Sequence, residues 1–148
     1  MPEEQSYSNH ARWYPLFHFV VMPLLLLNFL EHVVRIFTAA DNSARMEQGF
    51  WGVFSVTLIL LALASRLQVL SVQDRLIRLE EKLRYSTVLS PDLNARAAQL
   101  TKGQIIALRF APDDELPGLI ERTLNGEFAD GKSIKMAIKS WRGDYLRA

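Results

Sequence analysis

Two long apolar runs constrain this chain more than any other feature. Residues 15–37 read PLFHFVVMPLLLLNFLEHVVRIF and residues 50–70 read FWGVFSVTLILLALASRLQVL. Each approaches the ~20 residues that a helix needs to cross a ~30 Å hydrocarbon core. In a chain of 148 residues the remaining amphipathic sequence is too short to bury two such helices, so the runs predict membrane spans. The connection, AADNSARMEQG, is short and polar. The expected fold is therefore all-α: a transmembrane two-helix hairpin with a helical cytoplasmic C-terminal region. Its parts are an N-terminal cytoplasmic segment (1–14), the hairpin (15–72, spans about 15–38 and 49–72) and a cytoplasmic helical region (73–148).

Charge separates these parts. Residues 74–148 hold 13 of the 17 Lys and Arg and 11 of the 16 Asp and Glu, a net of only +2. A nucleic-acid partner needs a more concentrated basic surface, so none is expected. The absence of cysteine excludes disulfides, thiolate catalysis and cysteine-ligated metal centres. The opening MPEEQSYSNHAR has Glu3 and Glu4 where a secretory signal would be basic, so the first run reads as a retained anchor. Arg66, Arg75, Arg78, Lys82 and Arg84 lie near the end of the second run or beyond it, whereas the connection offers Arg45. The positive-inside bias then places both termini in the cytoplasm. Trp13, Tyr14, Phe17, Phe50 and Trp51 fall where amphipathic rings meet an interface.

Polar residues inside the first span are candidate sites. His18, Asn28, Glu31, His32 and Arg35 share a sector of roughly 140° at 100° per residue, which should face protein rather than lipid. Glu31 and Arg35 have the spacing and order of a favourable helical ion pair, while Asn28 and His32 can bond to the neighbouring helix. A lone imidazole, His18 or His32, could serve as axial ligand of a haem or a chlorophyll magnesium. The two are 14 residues apart, about 21 Å at 1.5 Å per residue, so one group cannot bridge them. Arg66 is placed to reach lipid phosphates. Pro23 predicts a kink near Phe19, and Gly49 and Gly52 open the second span.

Beyond the second run, Val69, Val72, Leu76, Leu79 and Leu83 recur at intervals of three and four without a helix breaker. This seam calls for a partner helix, in a homo-oligomer or another membrane subunit, or for the chain's own tail. Asp74 with Arg78 and Glu80 with Arg84 have i,i+4 ion-pair spacing. Ser90-Pro91 starts a short helix through Leu100, Thr101 starts another, and Asp113 or Asp114 caps a third that stops at Asn125-Gly126. Asp113, Asp114 and Glu115 have capping as their simplest role. The last helix begins near Asp130 with Ile134, Ile138, Trp141 and Tyr145 on one face. Lys132, Lys135, Lys139 and Arg142 lie largely opposite, as a solvated face or, with Arg66, as lipid-headgroup contacts.

The segments QSYSNHARWYPLFHF, VQDRLIRLEEKLR, LTKGQIIALRFAPDDELPGLIERTL and IKSWRGDYLRA together resemble a family of small two-span bacterial membrane proteins of unknown function. The resemblance covers nearly the whole chain. It implies the hairpin and the helical tail, and brings no activity, cofactor or catalytic residue with it. The expected location is the bacterial inner membrane. The expected function is that of a non-catalytic interaction or accessory subunit of a larger membrane complex; the alternative is a haem- or chlorophyll-binding subunit using an intramembrane His. A membrane-bound enzyme is disfavoured because no nucleophile or metal motif stands out. Reporter fusions at Ala44 and after the C-terminus test the topology: the C-terminal reporter should be active as a cytoplasmic one and the Ala44 reporter as an external one, and the reverse pattern would invert the hairpin.

Overall fold

A computed structural model describes residues 5–10 and 13–145. Every regular element among them is helical. The chain divides into two compact units, residues 13–70 and residues 71–148 together with the N-terminal segment.

In the first unit, α1 (Leu16–Thr38) is 23 residues long, and α2 (Asn42–Val88) begins after a break of three residues. Both are long and apolar enough to cross a membrane, with mean hydropathy of 1.8 and 2.0 in their most apolar windows. Over Leu16–Val21 the turns of α1 are wide and π-type, and the Met22 N–H bonds to the Phe17 carbonyl five residues back. The stretch ends two residues before Pro23, whose ring would crowd the Phe19 carbonyl and which has no N–H to give it. Widening the preceding turns relieves that conflict, so the kink predicted here takes the form of a π-type distortion.

The second helix starts earlier than the polar connection suggested. Residues 42–49 of that connection are helical because Asp41 acts as a cap: its carboxylate accepts from the Ala44 N–H at 2.8 Å and its carbonyl from the Arg45 N–H at 3.1 Å. Gly49 and Gly52 consequently lie inside the helix rather than at its start. Thr38 and Thr57 return their hydroxyls to carbonyls one turn back, at 3.2 and 3.0 Å.

The second unit wraps four short helices on the C-terminal part of α2: α3 (Pro91–Ala97), α4 (Lys102–Leu108), α5 (Leu116–Leu124) and α6 (Gly131–Ala137). The starts of α3, α4 and α6 are fixed by local chemistry. Ser90 accepts from the Leu93 N–H, and Thr101 with Gln104 and Asp130 with Ser133 form reciprocal capping boxes. Gly126 ends α5 at φ 76°, a conformation that suits glycine. A Cβ on Gly131 would stand 3.3 Å from the Gly103 carbonyl oxygen, so a small residue here lets α6 approach α4.

Leu108, Phe110, Leu116, Ile120 and Ile134 are fully buried, and Tyr85 of α2 with Leu89 just beyond its end closes the core from one side. The tail uses a face of α2 different from the apolar seam. Ile77, Glu81 and Tyr85 are buried, whereas Val72, Leu76, Leu79 and Leu83 are 65%, 54%, 56% and 63% exposed. At 100° per residue the two faces are centred about 170° apart. The chain's own tail therefore does not cover the seam.

Two helix readings need correction. The third short helix begins at Leu116 with Glu115 in the capping position and no side-chain cap; neither Asp113 nor Asp114 starts it. The last helix stops at Ala137, because Ile138 turns extended at ψ 125°. The Glu115 carboxylate takes the N–H groups of Lys139 and Ser140 at 3.0 and 2.9 Å, satisfying backbone that a continued helix would have used. Leu108→Ala should destabilise the second unit by about 2–5 kcal/mol, while Leu76→Ala should stay within about 0.5 kcal/mol. Urea-dependent proteolysis of the detergent-purified full chain reads both.

Candidate functional site

The second unit is pinned together at Glu81, whose position halfway along the α2 extension brings three separate segments within reach. Its carboxylate is 5% exposed and lies 3.2 Å from the Arg84 and 3.3 Å from the Arg142 guanidinium. Arg84 also donates to the Asp113 carboxylate at 2.7 Å and to the Ala111 carbonyl at 2.7 Å. One arginine thus ties α2 to the turn before α5, and the other ties α2 to the C-terminal stretch. Desolvation by burial raises the pKa of Glu81, against the lowering influence of both arginines. Burial outweighs pairing here.

A second buried cation continues the cluster. Arg109 donates to Asp144 at 2.9 Å and to the Ile106 carbonyl at 2.8 Å, with its guanidinium 4.2 Å above the Phe110 ring centre. The Gln5 side chain grips the backbone of Asp144 in both directions, accepting from its N–H at 2.8 Å and donating to its carbonyl at 3.2 Å. His10 packs near the rings of Phe110 and Trp141 at 5.8 and 5.7 Å, with Lys135 Nζ 3.1 Å from its Nε2. The N-terminal segment is thereby built into the same unit as residues 71–148. Glu80, Glu81, Arg84, Arg109, Arg142 and Asp144 border a cleft of about 450 Å³. Its charges are largely spent on one another, so the cluster is a clamp rather than an array of free acids and bases.

Spacing had suggested other partners. Arg78 reaches only the backbone carbonyl of Asp74, at 3.4 Å, while the Asp74 carboxylate pairs with Lys102 at 2.7 Å. Arg84 takes Glu81 and Asp113 in place of Glu80. In both cases a tail residue supplies a better-placed partner than the next helical turn does. Asp113 serves this ion pair and Glu115 serves the 139–140 backbone, which accounts for two members of the carboxylate cluster without a dipole-capping role.

In the first unit Glu31 and Arg35 form an exposed ion pair at 2.7 Å. Asn28 accepts from the Ser55 hydroxyl at 2.7 Å, and His32 Nδ1 lies 2.8 Å from Gln48 Oε1. His32 also stacks at 6.4 Å on Trp51, and its Cβ lies 3.9 Å from where Gly52 would carry one. The His18 Nδ1 lies 2.9 Å from the Tyr14 carbonyl oxygen, and the ring sits edge-on to Trp13 and Phe17. Each imidazole therefore has one nitrogen engaged by the protein, and any axial ligation would fall to Nε2. Among the described residues no group of three His, Asp or Glu side chains is placed to hold a metal ion.

Of the headgroup candidates, Arg66 is half-buried, and Lys132 and Lys139 are exposed. Lys135 and Arg142 are turned to His10 and Glu81. Ile138 is in the core and Trp141 packs against it, with its ring 4.7 Å from that of Phe110. The apolar stripe from Ile134 through Ile138 to Trp141 faces the protein interior, although only Ile134 of the three lies within α6.

The segments that form this clamp, from Gln5 at one end to Asp144 at the other, lie within a sequence-family model that spans residues 1–148. The chain belongs to DUF6526, a family of unknown function. No curated protein and no solved structure matches it. Membership covers the clamp and both apolar helices alike, and assigns no activity to either.

Helical spacing gave Gln5, His10 and Asp144 no role, because Gln5 and Asp144 are 139 positions apart and His10 and Lys135 are 125 apart; Glu81 was hidden among the charged residues between seam positions Leu79 and Leu83. Raising the pKa of Glu81 above its ordinary 4.5 means that the folded chain binds this proton more tightly than the unfolded chain. Its contribution to stability is complete below that value and is lost as pH rises through the folded-state pKa. Glu81→Gln should flatten this limb in a pH series of urea-dependent proteolysis, and an unchanged limb would assign the titration elsewhere.

Proposed function

We propose that the chain is a non-catalytic accessory subunit of a larger membrane assembly, anchored in a bacterial inner membrane by α1 and the apolar part of α2. On this reading the two helices form an antiparallel hairpin, and the second unit lies in the cytoplasm.

Three observations support the reading. The most apolar windows of α1 and α2 have 0% and 6% of their residues buried, unlike the core helix of a soluble protein, which is mostly covered. The N-terminal segment shares a unit with residues 71–148, as an even number of crossings requires. Asn28 with Ser55 and His32 with Gln48 satisfy polar groups between the helices, where hydrocarbon offers them no partner.

The observation that carries the interaction role is the seam. Val72, Leu76, Leu79 and Leu83 stand exposed on the side of α2 away from the tail, in the sequence pattern of a partner-helix contact. A helix of another membrane subunit fits that pattern.

Purification of the tagged chain from native membranes in mild detergent should retain at least one partner at fixed stoichiometry. The pair Leu76→Asp and Leu83→Asp should abolish retention, because a charge buried in an apolar seam without a counter-ion is strongly unfavourable. Wild-type chain that purifies alone and monomeric would contradict the proposal.

A further inference from the structure

Between the buried face of α2 and its seam lies a second cleft, of about 630 Å³, walled by α2, α3 and the start of α4. Four cations border it: Arg75, Arg78 and Lys82 from α2 and Lys102 from α4. Among the described residues no carboxylate lines it. The adjacent Asp74 pairs with Lys102 at 2.7 Å and receives Arg78 on its backbone carbonyl, leaving an excess of three positive charges. Among the described residues neither Arg75 nor Lys82 has a carboxylate partner.

Tyr85 lines the same cleft. The residue is 3% exposed, yet among the described residues its hydroxyl has no hydrogen-bond partner. Buried polar groups are nearly always satisfied, and this cleft-lining residue leaves a shielded donor for an acceptor to take. Burial pushes the phenol pKa above its ordinary value of 10.0, so the group remains a proton donor at neutral pH. The half-buried Asn94, also on the cleft wall, adds an amide of neutral character.

We propose that this cleft binds a phosphate group, carried by an anionic phospholipid or by a free phosphorylated small molecule. Guanidinium groups offer paired donors to phosphate oxygens, lysine supplies compact charge, and the Tyr85 hydroxyl fixes orientation. The volume suits a headgroup-sized or metabolite-sized ligand. Arg75 follows Leu70, the last residue of the apolar run, by only five residues in the same helix. The lipid source rests on the membrane-anchored reading; the cleft chemistry does not.

The test uses the full chain in neutral detergent. Native mass spectrometry measures retention of phosphatidylglycerol against phosphatidylcholine, and calorimetry measures binding of inorganic pyrophosphate. At least one anion should bind at least tenfold more tightly than the zwitterionic lipid. Arg75→Gln with Lys82→Gln should weaken it tenfold or more, and Tyr85→Phe, which breaks no existing hydrogen bond, should weaken it severalfold. Lys132→Gln with Lys139→Gln, outside the cleft, should leave it unchanged. Retention of the lipid alone assigns a headgroup, and pyrophosphate binding assigns a free phosphate. Absence of both, or equal binding after Arg75→Gln with Lys82→Gln, overturns the proposal. A chain recovered from cells without detergent would sink the membrane reading, while the pyrophosphate arm would still decide the cleft.

Discussion

Apolar surface that the protein does not cover sets the terms for the rest of the structure. Burying such surface is favourable by about 25 cal/mol per Å², yet the most apolar windows of α1 and α2 have 0% and 6% of their residues buried. On the proposed reading lipid supplies the missing cover, and the polar groups of the first unit become intelligible. In hydrocarbon every donor and acceptor needs a partner within the protein. Asn28 finds Ser55, His32 finds Gln48, and the hydroxyls of Thr38 and Thr57 return to their own helix. Glu31 and Arg35 neutralise one another one turn apart.

The second unit answers a different constraint. Its helices α3 to α6 have seven to nine residues each, too short to be stable alone in water. They persist because caps fix the starts of α3, α4 and α6 and because Leu108, Phe110, Leu116, Ile120 and Ile134 give all four one core. Polar contacts then set which segments meet. Arg84, Arg142 and Glu81 join α2 to both later segments, while Gln5 and His10 carry the N-terminal segment onto the same body. Asp130 contributes at the start of α6, where hydrogen bonds from Ser133 hold its pKa below the ordinary range and keep it charged as a cap.

What could be read from the sequence follows from the range of the interactions involved. Apolar run length located α1 and the apolar part of α2, and Ser90, Thr101 and Asp130 announced three helix starts, because a cap acts within four residues. Short-range rules failed where a distant partner competed. Arg84 has Glu80 one turn away but bonds to Asp113, which reaches it only after α3 and α4 have folded back. Ile134, Ile138, Trp141 and Tyr145 have helical spacing, yet the Glu115 carboxylate holds the backbone after Ile138 in a different path. The cationic cleft was invisible for the same reason: Arg75, Lys82 and Lys102 converge only when α4 packs beside α2.

The cysteine-free sequence permits a direct test of the lipid-covered helices. Single cysteines placed at Leu26 and Leu61, both more than half exposed, and at Lys132 on the second unit can be probed in membranes with a small water-soluble maleimide after the second unit has been made accessible by inverting the vesicles. The account predicts rapid labelling at Lys132→Cys and labelling at Leu26→Cys and Leu61→Cys only after detergent is added. Equal labelling of all three before detergent would show that water, not lipid, surrounds α1 and α2.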